Sequence, residues 1–103
     1  MAARYWVGGS GNWDSSSTTH WSTSSGGASG ASVPTSSDDV IFDSLSNATA
    51  YTVTITATAN CANFTMAGPL VGQVTWAGSS NINIYGSLNL SGGTAGINRT
   101  YLG

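Results

Sequence analysis

The sequence predicts an all-β fold, and three features of its composition lead to that prediction. Glu and Lys do not occur and Leu, Arg and Met are scarce, so the residues that favour helices are missing except for Ala. Thr, Val, Ile, Tyr, Trp and Phe, which favour strands, are plentiful. Gly, Ser and Asn interrupt the chain every few residues, as they do at turns.

Short strands are predicted from residue 38 onwards, because apolar residues there alternate with Thr or Asn. This alternation puts Val53 and Ile55 on one face of a strand. The predicted strands cover residues 39–42, 51–56, 61–66, 73–76, 81–85 and 87–90. The predicted core consists of Val53, Ile55, Phe64, Val74, Ile82, Ile84, Leu88 and Leu90.

A weak repeat indicates how these strands are arranged. Phe42, Phe64 and Tyr85 lie 22 and then 21 residues apart, and the pattern around residues 62–66 recurs loosely at 87–91. A period in the low twenties is typical of one rung of a parallel β-solenoid. A β-sandwich or jelly roll is the alternative, since its strands also recur at short, regular intervals.

The chain is expected to form a single β domain over residues 1–103, with two parts. Residues 1–37 are interpreted as an aromatic cap, with a short strand near residues 4–7, a glycine turn and a Ser/Gly-rich loop. That loop is expected to be ordered, because Trp13 and Trp21 would bind it to the sheet. Residues 38–103 are interpreted as the short-strand, solenoid-like core.

The charge pattern excludes several classes of partner. The formal net charge is −2, from two Arg against four Asp. A nucleic-acid-binding protein needs a basic surface, and so does a polybasic membrane anchor. No apolar run approaches the roughly 18 residues of a membrane-spanning helix. A weakly charged β surface favours association, so the expected partners are copies of this chain or other structural proteins.

The start of the chain bears on its location. It has neither a charged stretch nor an apolar run of a secretory signal, so no signal peptide is expected. Its composition is nevertheless that of an external protein. This combination predicts a virion component released by lysis, with an extracellular or cell-surface protein as the alternative. Cys61 is the only cysteine, which excludes an internal disulfide, and it is expected to be a small buried hydrophobe.

No catalytic residue is predicted, so the chain is expected not to be an enzyme. His20 is the only histidine and is expected to be an exposed or tryptophan-stacked loop residue. The segment 8–11 does not fit a nucleophile elbow. Four Asp and no Glu are a poor basis for glycoside hydrolysis, which needs two differently tuned carboxyl groups.

No cofactor is expected, although Asp38, Asp39 and Asp43 form a weak candidate for a calcium site. Adjacent carboxylates on a strand point to opposite faces, and the spacing does not fit an EF-hand loop. The alternative is that one Asp accepts hydrogen bonds from the backbone of a turn, while Arg4 or Arg99 pairs with another.

The aromatic residues are the main candidates for binding. Trp6, Trp13 and Trp21 are expected, together with Phe42, to form the core of a cap that covers the open end of a solenoid. A glycan-stacking platform and a protein interface are alternatives for these tryptophans and for the tyrosines. The candidate binding or interface residues are Trp6, Trp13, Trp21, Tyr85, Arg99 and Tyr101.

Several segments resemble the opening module of large β-helical surface proteins. These segments are residues 6–13 (WVGGSGNW), 21–22 (WS), 33–34 (VP) and 38–43 (DDVIFD), and residues 84–92 (IYGSLNLSG) resemble a repeating rung. Similar openings occur in autotransporter-like adhesins and in tail-fibre or other structural proteins of phages. The resemblance implies a β-helix-like structural domain without catalytic residues.

The predicted function is therefore that of a non-enzymatic structural protein in an external assembly. A phage virion component, such as a decoration, tail or fibre protein, is preferred, and it would self-associate through its β surfaces. The alternative is a bacterial surface adhesin or carbohydrate-binding module that uses exposed Trp or Tyr.

Overall fold

A computed structural model describes residues 2–43, 45–46, 51–66 and 74–89, and the regular structure in these residues is entirely β. The prediction of an all-β fold is thereby confirmed. The strands are β1 (Ala3–Trp6), β2 (Gly11–Trp13), β3 (Trp21–Ser22), β4 (Asp39–Phe42), β5 (Tyr51–Ile55), β6 (Ala59–Cys61), β7 (Phe64–Met66), β8 (Val74–Gly78), β9 (Ile82–Ile84) and β10 (Leu88–Asn89).

The described strands form three mainly parallel sheets. Sheet A has the order β10-β7-β4-β1-β3, sheet B the order β2-β5-β8, and sheet C the order β6-β9. The neighbouring strands are parallel except for β1 and β3, which are antiparallel. From β4 onwards the chain visits sheets A, B and C in that order, whereas β1, β2 and β3 lie in sheets A, B and A. We call each group of strands a pass: β1 to β3 form the first pass, β4 to β6 the second and β7 to β9 the third, and β10 begins the fourth.

Successive passes are offset by a nearly constant number of residues. In sheet A, Val40 pairs with Phe64 and Phe64 pairs with Leu88, an offset of 24 each time. In sheet C, Ala59 pairs with Ile82, an offset of 23. The predicted period was close, but the aromatic spacing behind it was misleading, because Phe42 pairs with Met66 and not with Phe64.

The first pass differs from the later ones. Ala3 pairs with Asp39, an offset of 36, because a long loop separates β2 from β4. This loop contains β3, and its residues Ala31 and Val33 pack against the core. The predicted ordered loop is therefore part of the folded structure, although the strand inside it was not expected.

Two further differences concern strand limits. The predicted strand 61–66 is two strands, because β6 ends at Cys61 and the chain turns a corner at Ala62 and Asn63 before β7. Strand β2 was expected to be part of a glycine turn. Gly and Asn are poor strand formers, but pairing of Gly11 with Val53 in β5 makes this segment a strand.

The core lies between the three sheets and follows the predicted alternation. Tyr51, Val53 and Ile55 are buried, whereas the threonines between them are half-buried. The core residues are Trp6, Trp13, Trp21, Val40, Phe42, Tyr51, Val53, Ile55, Ala59, Cys61, Phe64, Met66 and Ile82.

The predicted core is correct in its centre and wrong at its last strand. Ile84 is only partly buried against the core. Leu88 is 45% exposed, so its prediction as a core residue was wrong. It occupies the same column as buried Val40 and Phe64, but β10 is the last strand of sheet A in the described part of the chain. The side chain of Val74 and all of Leu90 lie outside the described residues.

Candidate functional site

The turn between β1 and β2 depends on two glycines and on the indole of Trp6. Gly8 and Gly9 have φ values of 86° and 77°, a region that a side chain disfavours. The Trp6 indole N–H donates a hydrogen bond of 2.8 Å to the carbonyl oxygen of Gly9. A strand residue thus fixes the turn that follows it, which explains why the aromatic and glycine residues occur together in this segment.

His20 fastens the same turn from the other side. Its ring stacks on Trp6 with centroids 4.6 Å apart and an interplanar angle of 7°. Its Nδ1 lies 2.7 Å from the carbonyl oxygen of Val7, and because a carbonyl only accepts, Nδ1 carries the proton. A Cβ atom on Gly11 would collide with the opposite ring edge. The predicted tryptophan-stacked loop histidine is confirmed.

The three N-terminal indoles meet in one aromatic cluster. Trp21 contacts Trp6 and Trp13 edge-on, with centroids 5.2 Å and 5.0 Å apart. Phe42 stacks on Trp6 at 5.6 Å and approaches Phe64 at 5.7 Å. All five side chains are completely buried. Each such ring pair adds about 0.5–1.5 kcal/mol beyond the burial of its area.

This burial determines what the tryptophans can do. A sugar-stacking platform needs rings that reach solvent, and Trp6, Trp13 and Trp21 are 0% exposed. Trp6 and Trp21 instead lie in β1 and β3, the antiparallel pair at one end of sheet A, and Trp13 lies in β2, the first strand of sheet B. All three side chains are interior. The side chain of Trp76 lies outside the described residues.

Three of the aspartate side chains accept hydrogen bonds from backbone N–H groups in turns. Asp38 Oδ2 accepts a hydrogen bond of 2.9 Å from the backbone N–H of Thr35, and Asp43 Oδ1 accepts one of 3.0 Å from that of Leu45. Asp14 Oδ1 accepts from Ser17 at 2.6 Å and from Ser16 at 2.9 Å. These bonds, that of Ser17 first, lower the pKa of Asp14. The predicted turn-capping role is confirmed.

The candidate calcium residues do not converge. In the described part of the chain, no group of three or more His, Cys, Asp or Glu side chains is placed to hold a metal ion. Burial alone would raise the pKa of Asp38, but hydrogen bonds from Thr35 and the charge of Arg4 bring it below its usual value. The Arg4 guanidinium donates to Ser32, at 2.8 Å to the carbonyl and 2.7 Å to the hydroxyl.

A column of polar residues at one corner joins successive passes, and sequence reasoning missed it. Asp39 Oδ1 accepts hydrogen bonds from Asn63, at 3.2 Å from the backbone N–H and 2.9 Å from the side-chain amide. Asn63 Oδ1 in turn accepts one of 2.8 Å from the backbone N–H of Ser87. These residues are 24 apart, so their spacing was the available signal. We call them the corner ladder.

Cys61 behaves as a buried apolar residue, as predicted. It is 0% exposed in the middle of the core. Burial, and secondarily the charge of Asp39, raise the pKa of its thiol to about 12. The thiolate, which is the reactive form, is therefore suppressed at neutral pH.

A surface cleft of about 410 Å³ lies beside Tyr85, which is 66% exposed. Its lining consists of Trp13, Asp14, Ser15, Val33, Pro34, Thr35, Ser36, Thr58, Ala59, Asn60 and Tyr85. Of the predicted binding residues, Tyr85 therefore reaches solvent, whereas Arg99 and Tyr101 lie outside the described residues.

Comparison with known proteins assigns no family to this fold and cleft. No protein-family model, curated protein or solved structure matches the chain. The described residues contain no helix that is long and apolar enough to cross a membrane. The function is therefore argued from contacts within the molecule.

Proposed function

We propose that this chain is a non-enzymatic structural domain that forms the capped end of a parallel β-solenoid in an external assembly. The observation that carries the proposal is the register. Sheets A and C repeat with offsets of 24 and 23 residues, and in sheet B Val53 pairs with Trp76, again 23 residues later. The first pass is the exception, with offsets of 36 in sheet A and 42 in sheet B. Nearly constant offsets in three sheets, as between the later passes, are typical of a chain that coils around one axis.

The connections also favour a solenoid over a sandwich or jelly roll. Sandwich strands are mostly antiparallel and joined by hairpins or Greek-key loops. Here the neighbours within each sheet are parallel, apart from β1 and β3. Parallel neighbours need a long crossover, and the strands of the other two sheets supply it.

The two ends of the stack support a role in assembly. At the first end, β3 and the buried indoles cover the edge of sheet A. At the other end, β8, β9 and β10 are the last described strands of their sheets, and Leu88 exposes an apolar side chain. The edge strand of a sheet favours pairing with another strand. We propose that self-association uses this end.

Composition supports the external setting. The net charge of −2 and the Ser, Thr, Gly and Asn content give a surface with little repulsion between copies. Together with the resemblance of the opening residues to phage fibre and adhesin modules, this favours a virion component, such as a decoration, tail or fibre protein. The proposed partners are copies of this chain or other structural proteins of a virion or cell surface.

The test is the solution mass of the purified chain over a concentration series, measured by light scattering. We expect the mass to rise with concentration. Leu88→Lys should keep the chain monomeric, because it places a charge at the end formed by β8, β9 and β10, which we call the open end. Leu45→Lys is the matched control, since Leu45 is equally apolar and 59% exposed but lies in a loop. A wild-type chain that stays monomeric at all concentrations would overturn the assembly proposal.

A second experiment tests the coil itself. Ile41 and Thr65 are register partners in sheet A. Parallel neighbours lie about 4.8 Å apart, a separation that a disulfide can bridge. In a Cys61→Ala background, Ile41→Cys with Thr65→Cys should oxidise readily, whereas Ile41→Cys with Thr54→Cys should not. Equal reactivity of the two pairs would contradict the proposed stacking.

A further inference from the structure

The cleft beside Tyr85 is assembled from four separate stretches of the chain. Residues 13–15 lie at the end of β2, residues 33–36 precede β4, residues 58–60 lie at the start of β6, and Tyr85 follows β9. The cleft therefore crosses three successive passes. Trp13 of the aromatic cluster contributes to its wall, whereas Leu88, at the end proposed for association, does not.

Tyr85 presents its ring from a fixed backbone. Its N–H donates to the carbonyl oxygen of Cys61 at 3.0 Å, and the next N–H, that of Gly86, donates to the carbonyl oxygen of Ala62 at 2.6 Å. A side chain on Gly86 would collide with Asn63 and with the backbone of Ala62. The ring is thus an exposed aromatic surface on a rigid support, which lowers the entropy cost of binding.

The polar groups of the cleft are held in place. Asp14 Oδ1 is engaged by the N–H groups of Ser16 and Ser17, and Oδ2 takes no part in those two bonds. The lowered pKa of Asp14 keeps its carboxylate ionised at neutral pH. Asn60 Oδ1 accepts one long hydrogen bond of 3.4 Å from the side-chain amide of Asn83. Hydroxyl groups of the lining Ser and Thr residues complete the set.

The chemistry of the lining restricts the ligand. None of the lining residues is Lys, Arg or His, and Asp14 brings a negative charge, so an anionic ligand is disfavoured. A lipid or other apolar ligand would displace water from Asp14 Oδ2 and from the Asn60 amide N–H groups without replacing its hydrogen bonds. The ligand should therefore carry many hydroxyl groups, no net charge, and one apolar face that can cover the Tyr85 ring.

We infer that this cleft binds a short neutral saccharide, with the C–H face of a sugar ring on Tyr85 and its hydroxyl groups on Asp14 and Asn60. The volume of about 410 Å³ is in the usual range for small-molecule sites. Sugar hydroxyls donate to a carboxylate and accept from an amide, as these two residues require. The inference does not depend on the proposed assembly, because the cleft lies within one chain.

The experiment is saturation-transfer NMR of the whole chain with methyl glycosides of glucose, galactose, mannose and N-acetylglucosamine, and with sialyllactose as an anionic probe. We expect transfer to at least one neutral glycoside and none to the sialic acid ring. Tyr85→Ala should weaken the binding about tenfold, as truncation of an aromatic anchor does, whereas Tyr85→Phe should preserve it. Leu88→Ala is the matched control, because Leu88 is also an exposed apolar residue.

The opposing outcomes are distinct. No transfer to any neutral glycoside would overturn the inference, and so would transfer that Tyr85→Ala leaves unchanged. Thermal unfolding of each variant separates a lost site from a lost fold, since Tyr85 is mainly exposed and its replacement should hardly change stability.

Discussion

The first strands of the stack and the last described ones differ in how their apolar residues are covered. At the first end, Trp6 and Trp21 are completely buried, and β3 runs antiparallel to β1 so that sheet A does not continue as a parallel sheet. At the last described strands, Leu88 occupies an inward column but is 45% exposed. The position of a residue in an inward column is therefore not enough to bury it, and a neighbouring pass must also cover it.

The largest expected loss of stability is at the end of sheet A that β3 covers, which we call the closed end. Trp6→Ala removes a buried ring, its stacking on His20 and its bond to Gly9. The free energy of unfolding should fall by about 3–5 kcal/mol, as measured by urea unfolding. Leu88→Ala should cost about 0.5 kcal/mol or less. Equal losses in the free energy of unfolding for Trp6→Ala and Leu88→Ala would contradict the difference in burial between these two residues. If Trp6→Ala does not fold, Trp6→Phe, with a smaller loss, takes its place.

The next effect tests how tightly the closed end is fitted. Gly11→Ala places a methyl group against the His20 ring. Overpacking of this kind should lower the free energy of unfolding by about 1–3 kcal/mol. In a His20→Ala background the same substitution should cost much less, because its collision partner is gone. A double-mutant cycle from chemical unfolding measures this coupling, and a coupling near zero would show that His20 does not set the fit.

The corner ladder should matter to a similar or smaller extent. Asn63→Ala removes the acceptor of the Ser87 N–H and the donor to Asp39. We expect a loss of about 1–2 kcal/mol in the free energy of unfolding. Asn83→Ala is the matched control, since its bond to Asn60 is long, at 3.4 Å, and should be worth less. A control variant as costly as Asn63→Ala would argue against the ladder.

The smallest effect concerns the interior between the two ends. The pKa of Cys61 rises from 9.0 to about 12 on folding, mainly by burial. Because the thiol of the unfolded chain ionises at lower pH, the contribution of Cys61 to the free energy of unfolding is fully present below pH 9. It is lost as the pH rises towards 12. The loss should be on the order of 1 kcal/mol by pH 10, and Cys61→Ala should remove it from the pH profile. If Cys61→Ala leaves the pH dependence of the free energy of unfolding unchanged, the thiol is not shielded from solvent in the folded chain.

Sequence patterns predicted what depends on local alternation. Val53 and Ile55 are buried as expected, and the cluster of Trp6, Trp13 and Trp21 was expected from their proximity in the chain. The exposure of Leu88 was not predictable in this way, because alternation gives the face of a strand and not the neighbour that covers it.

Register and long-range assembly were the harder part. The aromatic spacing suggested the right kind of period with the wrong partners, since the offset in sheet A is set by corners such as Ala62 and Asn63 and not by ring positions. Strand β3 has two residues and exists through its pairing with β1. The cleft draws on four distant segments, so only Tyr85 was available as a signal for it.

In the corner ladder, each hydrogen-bond acceptor precedes its donor in the sequence, which bears on folding during synthesis. Asp39 accepts from Asn63 and Asn63 accepts from Ser87, so each acceptor is made before its donor leaves the ribosome. The first 42 residues already contain His20, the three N-terminal tryptophans and Phe42. A nascent chain can therefore build its aromatic end first and use it as a template. The strand pairs of each later pass are then made with the pass that precedes it.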